Sequence, residues 1–412
     1  MRDEWKTAKL GEIASIGAGN SAPQKKESFQ NGIYPFVRTS DVGKIRFGSI
    51  YDSTDKLNDK GATKLRLISK GSILVPKSGA STFLNHRVIL GCDSYVSSHL
   101  ATIKANPEYA LDYYLLYYLL TVSSQNLIQD HKYPSLKLSD ISNICVLLPP
   151  LNEQKRIVAI LDEAFAGIEK AVVNTEKNLA NARELFENYL NSVFRSHDYG
   201  WTELTLGEIA EFKNGLNFTK NSKGEHVKIV GVKNFQSNYW VPMHKLEIAQ
   251  IDGKLSESYK LQKGDILTVR SNGNKNLIGR CMLAGDIPEP TSHSGFTIRI
   301  RLISSIVEPT FLVHYLKTDM VRDMLIKSGG GVNISSLNQT VLSRLPIQVP
   351  EKNKQRDIVN KIETLQQETL TLDKIYTQKL TALTELKQSL LQKAFSGELT
   401  ANPNNKRKEA AA

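Results

Sequence analysis

The chain reads Trp5-Lys-Thr-Ala-Lys-Leu-Gly-Glu-Ile-Ala14 near its start and Trp201-Thr-Glu-Leu-Thr-Leu-Gly-Glu-Ile-Ala210 near its middle. Both stretches begin with tryptophan and end with the identical string Leu-Gly-Glu-Ile-Ala in the same register. Self-similarity at a long interval is the signature of an internally duplicated structure. The two halves of the chain are therefore predicted to begin with the same local structure.

Further matches follow in the same order along the two halves. Lys70-Gly-Ser-Ile-Leu-Val75 resembles Lys263-Gly-Asp-Ile-Leu-Thr268, and Ser98-His-Leu-Ala-Thr-Ile-Lys104 resembles Ser294-Gly-Phe-Thr-Ile-Arg299. The interval between matching strings drifts slightly, as insertions and deletions in surface loops would cause. Because the matches keep their order, chance similarity explains them poorly. The sequence predicts two tandem copies of one design.

Each copy opens with a segment of mixed character. Residues 1–150 and 201–350 carry short β-rich runs separated by Gly, Pro, Asn and Ser, which is typical of α+β domains with many loops. Helices are predicted at 111–129 and 308–327. The predicted strands lie near 45–51, 71–76, 88–90, 95–103, 227–232, 265–269 and 297–302.

Each copy closes with a long helix, predicted at 152–195 and at 353–395. Apolar residues there fall mostly three or four positions apart, which is the pattern of a sustained a/d seam. Each helix would be roughly 65 Å long at 1.5 Å per residue. Because neither helix can bury its seam alone, the fold class predicted is α+β, with two tandem domains separated by two long helices that form an antiparallel coiled coil under pseudo-two-fold symmetry. The alternative is that each helix packs on its own domain.

The domain boundaries follow from this pattern. The first domain is predicted at 1–150 and its spacer helix at 151–196. The second domain is predicted at 197–350 and its helix at 351–400. The polar, basic end of the chain, 401–412, is predicted to be a disordered tail.

The composition favours an anionic partner. Lys and Arg number 53 against 42 acidic residues, which gives a formal net charge of +11. Such an excess suits nucleic acid or a membrane surface, although a basic protein can also be merely soluble. The first residues form no apolar signal core and the most apolar run, 111–122, is too short to cross a bilayer. The chain is therefore expected to be cytoplasmic, with no membrane partner.

Motifs for catalysis or for binding a metal or cofactor are missing from the sequence. It has no Walker A string, no Gly-x-Gly-x-x-Gly, no His-Glu-x-x-His and no Gly-x-Ser-x-Gly. Asn106-Pro-Glu-Tyr109 resembles the Asn-Pro-Pro-Tyr/Phe string of adenine methyltransferases, but the second proline is replaced and no glycine loop precedes it. The three cysteines are far apart, which argues against a disulfide framework or a zinc site. The sequence predicts no catalytic residue, no metal site and no cofactor of its own.

Several loops combine Lys or Arg with Asn, Ser, Thr or Gly, the side chains that contact phosphates and base edges. The loop at 270–275 and the loop at 77–79 both follow the matching Lys-Gly-x-Ile-Leu strings, so they are expected at equivalent places. The alternative for any single loop is plain solvation, and His131-Lys132-Tyr133 is a weaker candidate. The residues predicted to bind DNA are Lys25, Lys26, Arg38, Thr39, Lys77, Ser78, Lys220, Lys233, Asn234, Arg270, Ser271, Asn272, Asn274 and Lys275.

Three strings carry a family resemblance. They are Pro149-Pro-Leu-Asn-Glu-Gln-Lys-Arg-Ile-Val158, Pro350-Glu-Lys-Asn-Lys-Gln-Arg-Asp-Ile-Val359 and Leu386-Lys-Gln-Ser-Leu-Leu-Gln-Lys-Ala-Phe-Ser-Gly-Glu-Leu399. Together with the tandem plan of domain and long helix, they resemble the specificity (S) subunit of type I restriction–modification enzymes. The second string departs from the Pro-Leu-x-Glu-Gln form of the first.

The resemblance implies a division of labour. Two target-recognition domains would each read one half of a bipartite site in double-stranded DNA, and the helices would fix the gap between the halves. The helices would also dock two modification subunits, with Gln154, Ile157, Gln355 and Ile358 as candidate docking residues. Restriction subunits would join the complex, and S-adenosylmethionine, ATP and Mg²⁺ would bind to these partners. The chain itself would not be catalytic.

Two other readings stay open at this point. The chain could be a specificity-type DNA reader of another defence system, since its partners are not encoded in it. It could also be a coiled-coil scaffold that binds only protein. A scaffold would explain the long helices but not the basic loops on the duplicated domains.

Overall fold

The computed structural model describes residues 5–128, 130, 132–195, 200–235, 238–328 and 336–401, without the side chains of 326–328. His131, the glycine run at 329–331 and residues 402–412 of the predicted tail lie outside the described residues. The chain divides into two compact units. The first comprises Met1–Thr175 with Gln378–Ala412, and the second comprises Glu176–Thr377.

The secondary structure of the described residues is as follows. The helices are α1 Leu10–Ile13, α2 Thr39–Ile45, α3 Asp59–Ala62, α4 Asp112–Leu120, α5 Leu138–Ser142, α6 Leu151–Arg195, α7 Leu206–Ile209, α8 Pro309–Leu316, α9 Asp319–Ser328, α10 Gln339–Ser343 and α11 Lys352–Ser396. The strands are β1 Lys6–Lys9, β2 Ala14–Ala18, β3 Tyr34–Val37, β4 Phe47–Ile50, β5 Lys56–Leu57, β6 Ile73–Pro76, β7 Arg87–Leu90, β8 Tyr95–Val96, β9 Leu100–Ala105, β10 Cys145–Leu148, β11 Thr202–Thr205, β12 Ala210–Asn214, β13 His226–Val230, β14 Glu247–Gln250, β15 Ile266–Val269, β16 Cys281–Leu283, β17 Thr291–His293, β18 Thr297–Leu302 and β19 Pro346–Val349.

The first unit is built on a five-stranded sheet in the order β2-β9-β6-β7-β4. Its central strands β6, β7 and β9 carry buried runs of Ile, Leu and Val, which suit a sheet covered on both faces. A three-stranded sheet, β5-β3-β8, and a two-stranded sheet, β1-β10, complete the unit. The helix α4 lies against β7 and contributes Tyr114 and Leu115 to the main core.

The second unit repeats this plan. Its main sheet has four strands in the order β12-β18-β15-β16, beside the three-stranded sheet β14-β13-β17 and the pair β11-β19. The parallel edge strand β4 of the first unit is reduced here to one parallel bridge between Trp240 and Leu283 of β16. The predicted duplication of an α+β domain is confirmed.

An equivalent glycine in each unit lies where two backbone segments of that unit approach closely. A Cβ atom on Gly19 would lie 2.3 Å from the carbonyl oxygens of Val96 and Ser97. A Cβ atom on Gly215 would lie 2.2 Å from the carbonyl oxygen of Ser294. Only glycine lets the backbone pass at that distance. The same close approach in both units explains why both halves have glycine shortly after the matching Leu-Gly-Glu-Ile-Ala string.

Two predicted helices are wrong in length. The helix predicted at 111–129 ends at Leu120, where the Thr121 hydroxyl donates to the Tyr118 carbonyl at 2.7 Å. The helix predicted at 308–327 is broken into α8 and α9. There the Thr318 hydroxyl donates to the Tyr315 carbonyl at 2.7 Å and accepts from the Val321 amide at 3.4 Å. Threonine hydroxyls compete with the backbone for helical hydrogen bonds, which explains both ends.

The two long helices are confirmed as α6 and α11, and their ends join the domain cores. In the first unit the start of α6 and the end of α11 lie in one core cluster with α4, and Phe395 of α11 packs edge-on against Tyr114 at 5.5 Å. In the second unit the end of α6 and the start of α11 join the core around α8, where Phe194 packs against Phe311 at 5.3 Å. Each domain core is therefore completed by one segment from each long helix.

Within the second unit the two helix segments run antiparallel. Arg183 Nε of α6 donates to Asp373 Oδ1 of α11 at 2.6 Å. Further along α6, Tyr189 lines a groove with Asn360 and Leu365, which precede Asp373 in α11. The antiparallel pairing predicted from the seams is present in the second unit. The alternative prediction, packing of the long helices on the domains, is also met at the helix ends.

Candidate nucleic-acid interface

The loop at 77–79 is held against the turn that precedes β9. The Lys77 amide donates to the His99 carbonyl at 2.9 Å, and the Leu136 amide donates to the Lys77 carbonyl at 2.8 Å. The Ser78 hydroxyl also lies 2.6 Å from His99 Nδ1. Lys77 and Ser78 are half-buried, and His99 is exposed beside them.

The loop at 270–275 has the same support in the second unit. The Arg270 amide donates to the Phe296 carbonyl at 2.8 Å, and the Leu337 amide donates to the Arg270 carbonyl at 2.7 Å. The Ser271 amide donates weakly to the same Phe296 carbonyl at 3.3 Å. The two loops therefore occupy equivalent places on a shared framework, as the paired Lys-Gly-x-Ile-Leu strings predicted.

The second unit brings two of the predicted loops together in one groove of ≈ 540 Å³. Lys233 lines one part of it, and Ser271 and Asn272 line another. Phe296, which follows both loops in sequence, also lines the groove and is 62% exposed. The Asn272 side chain accepts from the Asn274 amide at 2.8 Å, which fixes the turn of the loop. The groove combines polar, basic and apolar surface.

The remaining residues of loop 270–275 have local roles as well. The Asn274 side chain accepts from the Asn276 amide at 3.1 Å and caps a single helical turn that begins at Lys275. Both Asn274 and Lys275 are exposed. Lys220 is exposed too, but it does not line the groove with Lys233.

Arg38 and Asn234 are among the predicted DNA-binding side chains that have partners within the protein. Arg38 pairs with Asp55 and lies over the Phe36 ring at 5.1 Å, just before Thr39 begins α2. Asn234 is only 5% exposed, and its side chain accepts from the Gly231 amide at 2.8 Å. The prediction for Asn234 is corrected, because a buried side chain that closes its own turn is not presented to a ligand.

The first unit places Lys25 in a separate groove of ≈ 840 Å³. Lys60 and Lys64 line it as well, together with the acidic side chains Glu27 and Asp59. Lys26 begins a short 3₁₀ helix at this groove. Loop 77–79 does not line it, so the structure does not bring all the predicted residues of the first domain into one groove.

The candidate docking residues of the first unit are buried. Gln154 is 0% exposed, and its Oε1 accepts from the Leu111 amide at 3.0 Å. Its Nε2 donates to the carbonyl oxygens of Tyr109 and Pro149, both at 2.9 Å. Ile157 is also 0% exposed and belongs to the domain core.

The second unit contains the same arrangement. Gln355 Oε1 accepts from the Glu308 amide at 2.8 Å, and Nε2 donates to the carbonyls of Ile306 and Pro350, both at 2.8 Å. Ile358 is 8% exposed. We call Gln154 and Gln355 the glutamine clamps. The prediction that these residues form a docking surface is corrected, because the clamps and both isoleucines hold each helix to its own domain.

A buried, cationic region supports the turn beneath Phe296. His293 is 0% exposed, and its Nδ1 lies 2.9 Å from the Thr297 hydroxyl. Burial, followed by the charges of Arg299, Arg301 and Lys213, lowers the pKa of His293 to about 3. The imidazole is therefore neutral, because protonation would place an unpaired charge in the interior.

His314 is a second buried histidine of this unit. It is 1% exposed, and its Nε2 lies 3.2 Å from the Tyr239 hydroxyl. Burial and the nearby charge of Lys317 lower its pKa to about 4. Two neutral imidazoles thus lie in the interior of the second unit.

Sequence analysis missed two side chains, His99 and Phe296. They follow equivalent turns, and their backbone carbonyls anchor loops 77–79 and 270–275. Basic and amide-bearing side chains were the sequence signal for contact with DNA, so an exposed phenylalanine was not predicted. The paired strings Ser98–Lys104 and Ser294–Arg299 do not align the two residues, because matching their Thr-Ile pairs sets Ala101 opposite Phe296.

The described residues lack a metal-binding cluster and a membrane-spanning helix. No cluster of three or more His, Cys, Asp or Glu side chains that could hold a metal ion occurs in them. Among the same residues, no helix is both long enough and apolar enough to cross a membrane.

The chain thus belongs to a class of proteins in which two similar domains with equivalent loops are linked by long helices. Residues 2–176 and 199–382 match the family model for the type I restriction modification DNA specificity domain. The chain belongs to this family.

Curated relatives agree with the family. The StySPI specificity subunit of Salmonella potsdam is 28% identical over 288 residues, covering 65% of this chain and 60% of that subunit. The EcoDI specificity subunit of Escherichia coli is 24% identical and covers 97% of this chain and 89% of that subunit. The chain spans only 40% of the MjaIX specificity subunit of Methanocaldococcus jannaschii. It therefore spans less than two thirds of the StySPI and MjaIX relatives.

Solved structures share the fold. One, from work on complex assembly and conformational transition of the type I R-M system, has a TM-score of 0.75 at 19% identity, covering 96% of this chain and 98% of that one. The HsdS subunit of Thermoanaerobacter tengcongensis has a TM-score of 0.58 at 18% identity, covering 96% of this chain and 97% of that one.

Proposed function

We propose that the chain is the DNA-specificity subunit of a type I restriction–modification complex, in which each domain reads one half of a bipartite site. One observation carries the proposal. The two units hold loops 77–79 and 270–275 on the same hydrogen-bonded framework, yet the loops differ in sequence and length. A shared framework with different loops is what two readers of different half-sites require.

The partners follow from the same proposal. Double-stranded DNA would be bound together with two modification subunits, and restriction subunits would join them in the cytoplasm. Since the glutamine clamps are buried, docking would use exposed apolar residues of the helices instead. In α6 these are Val173 and Leu185, and in α11 they include Leu370 and Ile375. Exposed apolar side chains on a helix are suited to a protein partner.

The chemistry would belong to the partners. We propose that this chain has no catalytic residue and binds no cofactor, and that S-adenosylmethionine, ATP and Mg²⁺ bind to the modification and restriction subunits. The chain would supply the choice of site. Its two readers would act as one binder because the helices link them, which raises the effective concentration of the second reader.

DNA binding by the complex with modification subunits is expected to weaken steeply with salt. Between about 50 mM and about 200 mM salt, a protein with several phosphate contacts loses roughly 1,000-fold or more in affinity. We expect Arg270→Ala to lower the slope of log affinity against log salt by about 1. Fluorescence anisotropy with a labelled duplex measures this slope.

Lys263→Ala is the matched control. Lys263 precedes β15 and pairs with Asp286, whereas Arg270 follows the same strand at its other end. The control variant is expected to keep the slope of the unaltered complex. Affinity that does not depend on salt would contradict phosphate contact and favour the protein-binding scaffold.

A further inference from the structure

Phe296 is an exposed aromatic residue on a rigid support. The Gly295 amide donates to the Leu216 carbonyl at 2.7 Å, and the Thr297 amide donates to the Ser294 carbonyl at 2.9 Å. Thr297 is 0% exposed, and its hydroxyl also donates to the Ser294 carbonyl at 2.8 Å. Hydrogen bonds on both sides thus fix the backbone that presents the Phe296 ring. A single exposed apolar residue needs no explanation by itself, but one held this firmly loses little freedom on binding.

The surroundings of Phe296 contain polar side chains of three kinds. Ser271 and Asn272 line the same groove, and so does Lys233, whose ammonium pairs with Glu247. Hydrogen-bonding groups therefore flank an apolar ring. A ligand that matches this groove presents polar edges with an apolar group between them.

The equivalent position in the first unit has different chemistry. His99 replaces Phe296 there, and its Nδ1 lies 2.6 Å from the Ser78 hydroxyl. This contact orients the imidazole and leaves Nε2 as its remaining polar atom. The same place on the repeated framework thus offers a hydrogen-bonding ring in one domain and an apolar ring in the other.

We propose that Phe296 reads a thymine of the second half-site by contact with its 5-methyl group. The proposal rests on the proposed function and adds a specificity-determining residue to it. In the major groove the thymine methyl is the apolar group on a base edge, and phenylalanine is among the side chains that contact it. The polar side chains beside Phe296 would contact the neighbouring base edges and phosphates.

The test uses the complex of the chain with its modification subunits and the methylation motif mapped for it. Each thymine of the second half-site is replaced in turn by uracil, which removes only the methyl group. At one position the unaltered complex is expected to bind about fourfold more weakly, the effect of losing one buried methyl contact. Phe296→Ala is expected to weaken binding to the thymine duplex by about tenfold, the lower end of the effect of burying a phenylalanine side chain. The variant is expected to bind thymine and uracil duplexes equally, because it lacks the ring that contacts the methyl group.

Phe296→Leu and His99→Ala serve as controls. The leucine variant keeps an apolar contact and is expected to retain part of the preference for thymine. His99→Ala is expected to leave uracil sensitivity in the second half-site unchanged. Because the Phe296 side chain is exposed and its turn is held by backbone groups, these variants are expected to fold, which circular dichroism checks.

Several outcomes would overturn the proposal. A second half-site without any A·T pair would do so, and so would a uracil effect that persists in Phe296→Ala. The unaltered complex could also bind every uracil duplex as tightly as the thymine duplex while Phe296→Ala loses affinity. That result would mean that the ring inserts between bases instead of contacting a methyl group. Failure of the proposed function looks different, because then the unaltered complex would bind no DNA sequence in preference to others.

Discussion

Replacing Gln355 with leucine is expected to lower the free energy of unfolding of the chain by about 3 kcal/mol. The substitution leaves the Glu308 amide and the carbonyls of Ile306 and Pro350 without their partner. Each buried polar group left unsatisfied costs about 1–3 kcal/mol, and the cost is smaller where water can reach the group. Urea unfolding followed by tryptophan fluorescence measures the change, because Trp201 packs against this core.

Two comparisons test whether the clamp is the cause. Gln154→Leu breaks the equivalent clamp in the first unit and is expected to cost a similar amount. Gln367→Leu alters an exposed glutamine of the same helix and is expected to change the free energy of unfolding by less than about 0.5 kcal/mol. If Gln355→Leu proved as stable as Gln367→Leu, the clamp would not be what holds α11 to its domain.

The stability of the second unit is expected to fall as the pH is lowered from about 7 to about 5. The pKa of His293 is about 3 in the folded unit and that of His314 is about 4, against an ordinary value of 6.5. Below pH 6.5 the unfolded chain therefore binds protons that the folded unit does not, so acid favours unfolding. At about pH 5 each histidine costs about 2 kcal/mol relative to neutral pH.

The readout is the difference between the free energies of unfolding at the two pH values. His293→Asn removes one titrating group, so this difference should shrink by about 2 kcal/mol whatever the variant costs at neutral pH. His244→Asn changes an exposed histidine of the same unit and should leave the difference unaltered. The same pH dependence in His293→Asn and the unaltered protein would mean that His293 binds protons equally in the folded and unfolded states, which would contradict its lowered pKa.

The repeated architecture could be predicted because its signals are local. Identical strings at matching positions revealed the duplication, and the apolar spacing of 152–195 and 353–395 predicted helices that the structure shows at Leu151–Arg195 and Lys352–Ser396. The break at Thr318 was missed because the apolar periodicity continues through it. A hydroxyl that turns back onto the helix leaves no mark on that periodicity.

The individual site residues were harder to predict, because their roles depend on long-range partners. Gln355 appeared to depart from the first repeat, yet its hydrogen bonds reproduce those of Gln154, because each glutamine lies five residues after the proline whose carbonyl it binds. Asn234 is a residue type that reads bases, but its side chain is buried because it accepts a hydrogen bond from the Gly231 amide and closes that turn. Phe296 was overlooked because only the folded turn places it beside loop 270–275.

The most direct measurement of the central claim is methylation mapping by sequencing in cells that carry this chain and its modification subunit. The account predicts one bipartite adenine-methylated motif. Replacing loop 270–275 with alanines is predicted to relax or abolish the second half of that motif, whereas replacing loop 77–79 is predicted to affect the first half. No motif from the intact pair, or loss of both halves together with retained folding in either variant, would contradict a protein in which two domains read two half-sites.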